Sequence, residues 1–254
     1  MASLSHRYAA GQREEVWSEI RDLGPVPSRL TADVDAVATE TMRRVNRHVE
    51  RLATAYVELG LVPAGGGGHD AADPVRIRPT ADDPADLARL SRKIGRIPAA
   101  LRACLTEVGA VALYGDCPAL GLYYDQRPTP SGAETVLPDP LATPDVDLLR
   151  MDWDDYRTDP ARWWTRLGRL PGQKFPFAFA PDELHKANYS GATQDVLLPD
   201  RRADPMLHGV GGRDGITLVE YLRLSITWGG CPGWSLSTAA PPSALQPLMT
   251  TPDF

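Results

Sequence analysis

The sequence predicts an α+β fold with an N-terminal helical extension, and three observations carry that expectation. Helical periodicity dominates residues 13–60. Short apolar runs of strand character fall between residues 110 and 198. A capped amphipathic helix then begins near residue 217. Helices, then strands, then a helix is the order of an α+β chain; an α/β sheet would alternate the two.

The strongest helix is expected from Thr31 to Gly60. Val34, Val37, Thr41, Val45, His48, Leu52, Tyr56 and Leu59 recur at three- and four-residue steps and draw one stripe. Thr31 is the expected cap, and Asp33 and Asp35 suit the positive end of the helix dipole. Arg43, Arg44, Arg47 and Arg51 fall later, where positive charge is better tolerated, and Glu40 with Arg44 makes an i,i+4 pair. His48, on the stripe, is expected to be a buried, hydrogen-bonded core histidine. A shorter helix over Arg13–Asp22 precedes this one.

Pro63-Ala64 and the glycines Gly65 to Gly68 read as a flexible connector. They place a boundary between a helical region at 1–62, a Gly/Pro-rich linker at 63–82 and an α+β domain at 83–254. The glycines are not a phosphate loop, because the lysine and hydroxyl that should follow are missing. The next helix takes Asp83 as cap, Pro84 in its first turn and Gly95 past its end, with Leu87, Leu90 and Ile94 inward. Pro98 to Val108 forms another, with Leu101, Cys104, Leu105 and Val108 on one side and a stop at Gly109.

Ala110 to Tyr114 and Gly121 to Tyr124 read as strands. An extended segment is expected at Asp145 to Met151, and Asp159-Pro160 opens a short helix bearing Trp163, Trp164 and Leu167. Phe175 to Ala180 and Asp195 to Leu198 read as a hairpin-like pair around a polar loop. Thr217-Leu218-Val219-Glu220 matches a capping box. The helix it opens buries Leu218, Tyr221, Leu222 and Ile226 and ends at Gly229-Gly230.

Composition narrows the function. Acidic residues outnumber basic ones 33 to 27, a formal charge of −6, which argues against a nucleic-acid partner. No apolar run approaches the roughly 20 residues of a membrane helix, and the first residues lack the apolar core of a secretory signal. Cys104, Cys117 and Cys231 are widely spaced and form no C-x-x-C pair, as expected of reduced thiols in a cytoplasmic protein. No motif calls for a cofactor.

The densest candidate chemistry is Asp182, His185, Lys186 and Asn188. A carboxylate beside an imidazole can fix its tautomer and do acid–base work, and Lys186 can hold an anion. The structural reading is favoured over the catalytic one: Asp182 caps a turn while His185 and Asn188 satisfy loop backbone groups. Asp182, Glu183 and His185 have acceptable ligand chemistry but match no metal-site spacing, so no metal is expected. Trp164, Trp228 and Trp234 are candidate binding tryptophans, with Trp153 and Trp163, against a prevailing role in core filling. Trp234, beyond two glycine turns, is the one expected to reach the surface. Asp152, Asp154 and Asp155 around Trp153 read as a solvated loop, and Cys231 has no base nearby in sequence.

The order of these pieces resembles the SUKH superfamily, named in part for a yeast cell-wall-assembly regulator, over roughly Arg96 to Trp234. Ile97-Pro98-Ala99-Ala100-Leu101-Arg102-Ala103 through Val108-Gly109 is similar to the family's proline-started helix ending at glycine before a strand. Phe177 to Gly191 is similar to its strand and polar turn, and Leu218 to Gly233 to its terminal helix and glycine-rich stop. Cys231, where a bulky aromatic is expected, and Ala192-Thr193-Gln194 depart from the pattern.

The resemblance implies a mostly antiparallel sheet packed by helices. It also implies a protein-binding role, many members being immunity proteins that neutralise bacterial toxins. The expected partner is therefore a protein, plausibly a toxin, met through loops and the sheet face that carry Asn188, Trp164, Trp228 and Trp234. The alternative is an enzyme of specialised metabolism with a small-molecule pocket around Asp182, His185 and Lys186.

Overall fold

The computed structural model describes residues 2–64, 75–125, 136–166, 174–213 and 215–254, with the backbone alone at 164–166. The helices are α1 (Leu4–Ala9), α2 (Arg13–Asp22), α3 (Thr31–Glu58), α4 (Asp83–Ile94), α5 (Ala99–Ala103), α6 (Val146–Thr158), α7 (Pro160–Arg166) and α8 (Leu218–Thr227). The strands are β1 (Val62–Pro63), β2 (Arg76–Ile77), β3 (Ala110–Ala112), β4 (Gly115–Asp116), β5 (Ala142–Thr143), β6 (Phe175–Pro181) and β7 (Thr193–Leu198). The fold is α+β, and among the described residues every strand pair is antiparallel. The pairs are divided among three small sheets, β1-β4, β2-β3-β5 and β6-β7.

The long helix α3 forms because its apolar residues recur on one face, and nine of them, from Val34 to Tyr56, are buried together with Thr41. Thr41 sits in the middle of that face. Its Oγ1 accepts the Trp17 indole N–H at 3.0 Å, donates to Val37 O at 2.8 Å and lies 2.8 Å from the Tyr8 hydroxyl, so one polar atom joins α1, α2 and α3. Thr31 does not cap the helix. It already has helical dihedrals (φ −54°, ψ −49°) after a 3₁₀ turn at Ser28–Leu30, whereas a cap needs an extended backbone. Asp33 instead accepts the backbone N–H groups of Leu4 and Ser5 at 2.7 and 2.9 Å, tying α1 to α3.

His48 is half-buried rather than enclosed. Its Nε2 lies 3.0 Å from Asp253 Oδ1 and its ring 5.9 Å from Phe254, so the last residues close over the edge of the stripe. Sequence periodicity could not foresee a partner 205 positions away.

Two expected extended segments are corrected. Asp145 to Met151 is helical, because the Asp145 carboxylate accepts Leu148 N at 2.8 Å and caps α6, with Val146 and Leu149 then buried one turn apart. The acidic cluster around Trp153 lies on this helix, not on a loop. Gly121 to Tyr124 makes one isolated bridge, Cys117 to Leu122, and no strand. Leu167 lies outside the described residues, as do the glycines of the expected connector.

Side chains from both sides of the 63–82 segment enter one buried cluster: Val45 and Tyr56 of α3 lie in it with Leu101, Leu105 and Leu222. The capping box at Thr217 and Glu220 is present, and α8 stops where Gly229 and Gly230 take φ of 61° and 94°.

A buried carboxylate helps seat α8. Asp204 Oδ1 accepts Val219 N at 3.0 Å, and Oδ2 lies 3.7 Å from Arg21 Nη1 of α2. Burial pushes this carboxyl up to about 6. A group raised on folding contributes stability at low pH that is lost as pH rises through its folded value. Relative to Asp204→Asn, the wild type should therefore gain about 1 kcal/mol in unfolding free energy between about pH 7.5 and about pH 5. Urea titrations of both proteins at each pH measure it; a gap that does not change with pH would mean that Asp204 stays ionised.

Candidate functional site

Strand β6 alternates Phe175, Phe177 and Phe179 toward the core, pairs with β7, and reaches solvent at Pro181. The chain then turns over 182–190. Asp182 closes this turn: its Oδ1 accepts His185 N at 2.7 Å and Ser190 Oγ at 3.2 Å. The His185 ring is turned to the Ala192 carbonyl, 3.2 Å from Nδ1, and Asn188, at φ 58°, donates through Nδ2 to Tyr124 O at 3.3 Å. Asp182 thus meets the backbone of His185, and its imidazole is held elsewhere.

Lys186 goes the other way, into the core. It is 3% exposed, and its Nζ lies 2.6 Å from Asp139 Oδ1 and 3.2 Å from the Tyr221 hydroxyl. Gln194 Nε2 donates to the same Asp139 oxygen at 3.2 Å, and the Tyr221 hydroxyl lies 3.4 Å from Asp139 Oδ2. Burial alone would pull the Lys186 ammonium down, but Asp139 and Tyr221 together more than offset it and hold it above its ordinary value. Burial, then Asp139, pushes the Tyr221 phenol up. The three expected catalytic residues are therefore not one acid–base unit: two serve the turn and the third serves a buried hub that pins the turn to α8.

The tryptophans fill space. Trp234 is only 9% exposed, because the 3₁₀ turn Pro232–Leu236 folds it back and Gly233 N donates to Pro138 O at 2.8 Å. That corrects its expected place at the surface. Trp228 is half-buried against the core at the end of α8, and the Trp164 side chain lies outside the described residues. Trp163 donates to Asp155 Oδ2 at 2.9 Å and stacks edge-on against Phe175, 6.0 Å between centroids. Cys231 is enclosed, 3.1 Å from the Tyr56 hydroxyl, and burial pushes its thiol up to about 12, so it is no thiolate nucleophile. No three His, Cys, Asp or Glu side chains converge as a metal site among the described residues.

Two concave features stand out instead. The first is a recess of ≈ 230 Å³ whose charged lining is Asp139, Glu183 and Arg213. Glu183 Oε2 accepts Gly211 N at 3.2 Å; burial raises its carboxyl, and Asp139 and Asp182 raise it further. Arg213 donates through Nη2 to Pro232 O at 3.1 Å and to Ser235 Oγ, and burial lowers its guanidinium while Asp139 opposes that. Asp139 itself has φ 52°, a strained backbone for a non-glycine residue. Pro138-Asp139-Pro140 lies outside any helix or strand, and nothing in the sequence connects it to Lys186 or Glu183.

The second is an apolar groove of ≈ 580 Å³ between the β2-β3-β5 sheet, α6 and β6. Register puts Ile77, Ala110, Ala112 and Ala142 on one sheet face, and the three alanines leave the floor low. Leu148 and Met151 of α6 form a wall, with Met151 58% exposed, and the acidic residues Asp145 and Asp147 stand at the rim. Among the described residues, no helix is long and apolar enough to cross a membrane.

Comparison of the chain with protein-family models, with curated proteins and with solved structures gives no match.

Proposed function

We propose that this chain is a protein-binding domain of SUKH-like type, acting in the cytoplasm on a basic protein partner, with a bacterial toxin as the specific partner class. The observation that carries the reading is the alanine-floored groove. Exposed Ile77, Leu148 and Met151 line one depression, and a contiguous apolar surface of that kind marks an interaction site. Carboxylates at its rim and a net charge of −6 complement a basic partner, which raises encounter rate and specificity. The polar residues that could have done chemistry are committed to the turn and to the buried hub. None of Asp182, His185 and Lys186 lines the recess or the groove.

The test begins with native mass spectrometry of the protein purified gently from its source, to identify a stoichiometric partner. Affinity for that partner is then measured by calorimetry for the wild type and for Leu148→Arg with Met151→Arg. The expected result is a basic partner and a loss of roughly 10- to 100-fold in affinity with an unchanged melting temperature. Equal affinity in the double variant removes the groove as the docking surface.

A further inference from the structure

The recess beside the 182–190 turn holds a charge arrangement that the protein-binding reading does not use. Of the three charged side chains that line it, Asp139 is paired with Lys186 beneath the surface. Glu183 and Arg213 are half-buried, carry opposite charges and face the same space, yet among the described residues neither has an ion-pair partner. Opposite charges in one cleft ordinarily close on each other. Here each is tethered by other groups: Glu183 by Gly211 N, and Arg213 by Gly211 O, Pro232 O and Ser235 Oγ. Neither charge is closed in a short ion pair, and Glu183 stands near the carboxylates of Asp139 and Asp182, so a ligand that brings an ammonium to Glu183 and a carboxylate to Arg213 adds contacts that the recess lacks.

The walls are built for close approach. A Cβ on Gly211 would overlap the Glu183 carboxylate, one on Gly233 would overlap the Leu137 carbonyl, and one on Gly212 would lie 2.8 Å from Leu236 Cδ1. Neither Gly211 nor Gly233 has a left-handed backbone; glycine at 233 leaves room for the Leu137–Pro138 backbone, and glycine at 211 lets the Glu183 carboxylate approach the main chain. Leu137 and Leu236, the latter 57% exposed, add an apolar side. At ≈ 230 Å³ the space falls below the roughly 300–1,000 Å³ of drug-sized sites, so the occupant is small.

We infer that this recess binds a small zwitterion, an α-amino acid with an apolar side chain, its ammonium on the Glu183 side, its carboxylate on the Arg213 side and its side chain along Leu236. Tethered, opposed charges recognise a ligand carrying both ends better than one carrying either, because each end missing leaves one protein charge uncompensated.

The probes are L-leucine, the amine that lacks its carboxylate (3-methylbutylamine) and the acid that lacks its ammonium (4-methylpentanoate). Each is titrated by calorimetry, to about 10 mM, against the wild type, Glu183→Gln and Arg213→Gln. Leucine should bind the wild type, and either half-ligand should bind roughly 10- to 100-fold more weakly, the size expected for losing one charged hydrogen-bonding partner. Each variant should lose leucine by a similar factor while unfolding at the wild-type temperature; Leu148→Arg, in the groove, should keep it. If Arg213→Gln proves unstable, the half-ligands on the wild type decide alone. An amine that binds as well as leucine overturns the inference in favour of a simple cation site. Absence of binding by leucine, valine, isoleucine and methionine alike also overturns it.

Discussion

Lys186→Met is expected to lower the free energy of unfolding by about 3–5 kcal/mol. The ammonium lies 2.6 Å from Asp139 with its side chain wholly removed from solvent. Methionine fills a similar volume, so the cost comes from what is left behind, an Asp139 carboxylate in the core whose remaining side-chain donors among the described residues are Gln194 and Tyr221. Asp139→Asn leaves Lys186 in the corresponding position and should cost a similar amount. Replacing both together should cost less than the two single losses summed, because the double variant has no stranded charge. Since the Lys186 ammonium is held above its ordinary value, the pair's contribution is undiminished at neutral pH. It is lost only as pH rises through that raised value. Urea unfolding of the three variants at neutral pH measures the cycle. A cost below about 1 kcal/mol for Lys186→Met, the size of an exposed ion pair, would show that the hub does not hold the turn to α8.

The helices were legible because their signals are local. The α3 stripe, the Thr217 and Glu220 capping box and the Phe175–Leu198 hairpin each need only neighbouring residues to be recognised, and each is present. Asp145 misled because Val146, Leu148 and Met151 also suit an extended segment, and only the carboxylate bonding Leu148 N settles the choice for helix. The site was legible in its address but not in its chemistry. The crowded polar turn lies beside the recess, yet the residue that lines it is Glu183, weighed only as a metal ligand. The residues facing it, Asp139 and Arg213, come from loops 44 positions before Glu183 and 30 after. Lys186 read as an anion binder because its partner is 47 positions away, and a lysine's local sequence carries no sign of a distant carboxylate.

Gly233→Ala tests whether that distant arrangement is one unit, and it should cost about 3 kcal/mol or more. The added methyl would overlap the Leu137 carbonyl oxygen and come within 2.7 Å of the Pro138 carbonyl carbon. All the obstructing atoms are backbone, so no rotamer relieves the overlap and the 137–139 segment has to retreat. That segment carries Asp139, and its retreat lengthens the contact with Lys186. Gly233→Ala should therefore cost at least 1 kcal/mol less in a Lys186→Met background than in the wild type, because the pair it disturbs is already broken. Gly191→Ala serves as the control: no atom lies within 4 Å of its added methyl, and its effect should stay within about 0.5 kcal/mol. Urea unfolding of the single and double variants gives both numbers. Strict additivity of Gly233→Ala and Lys186→Met would separate the glycine wall from the hub, and the recess would then be bounded by two independent loops.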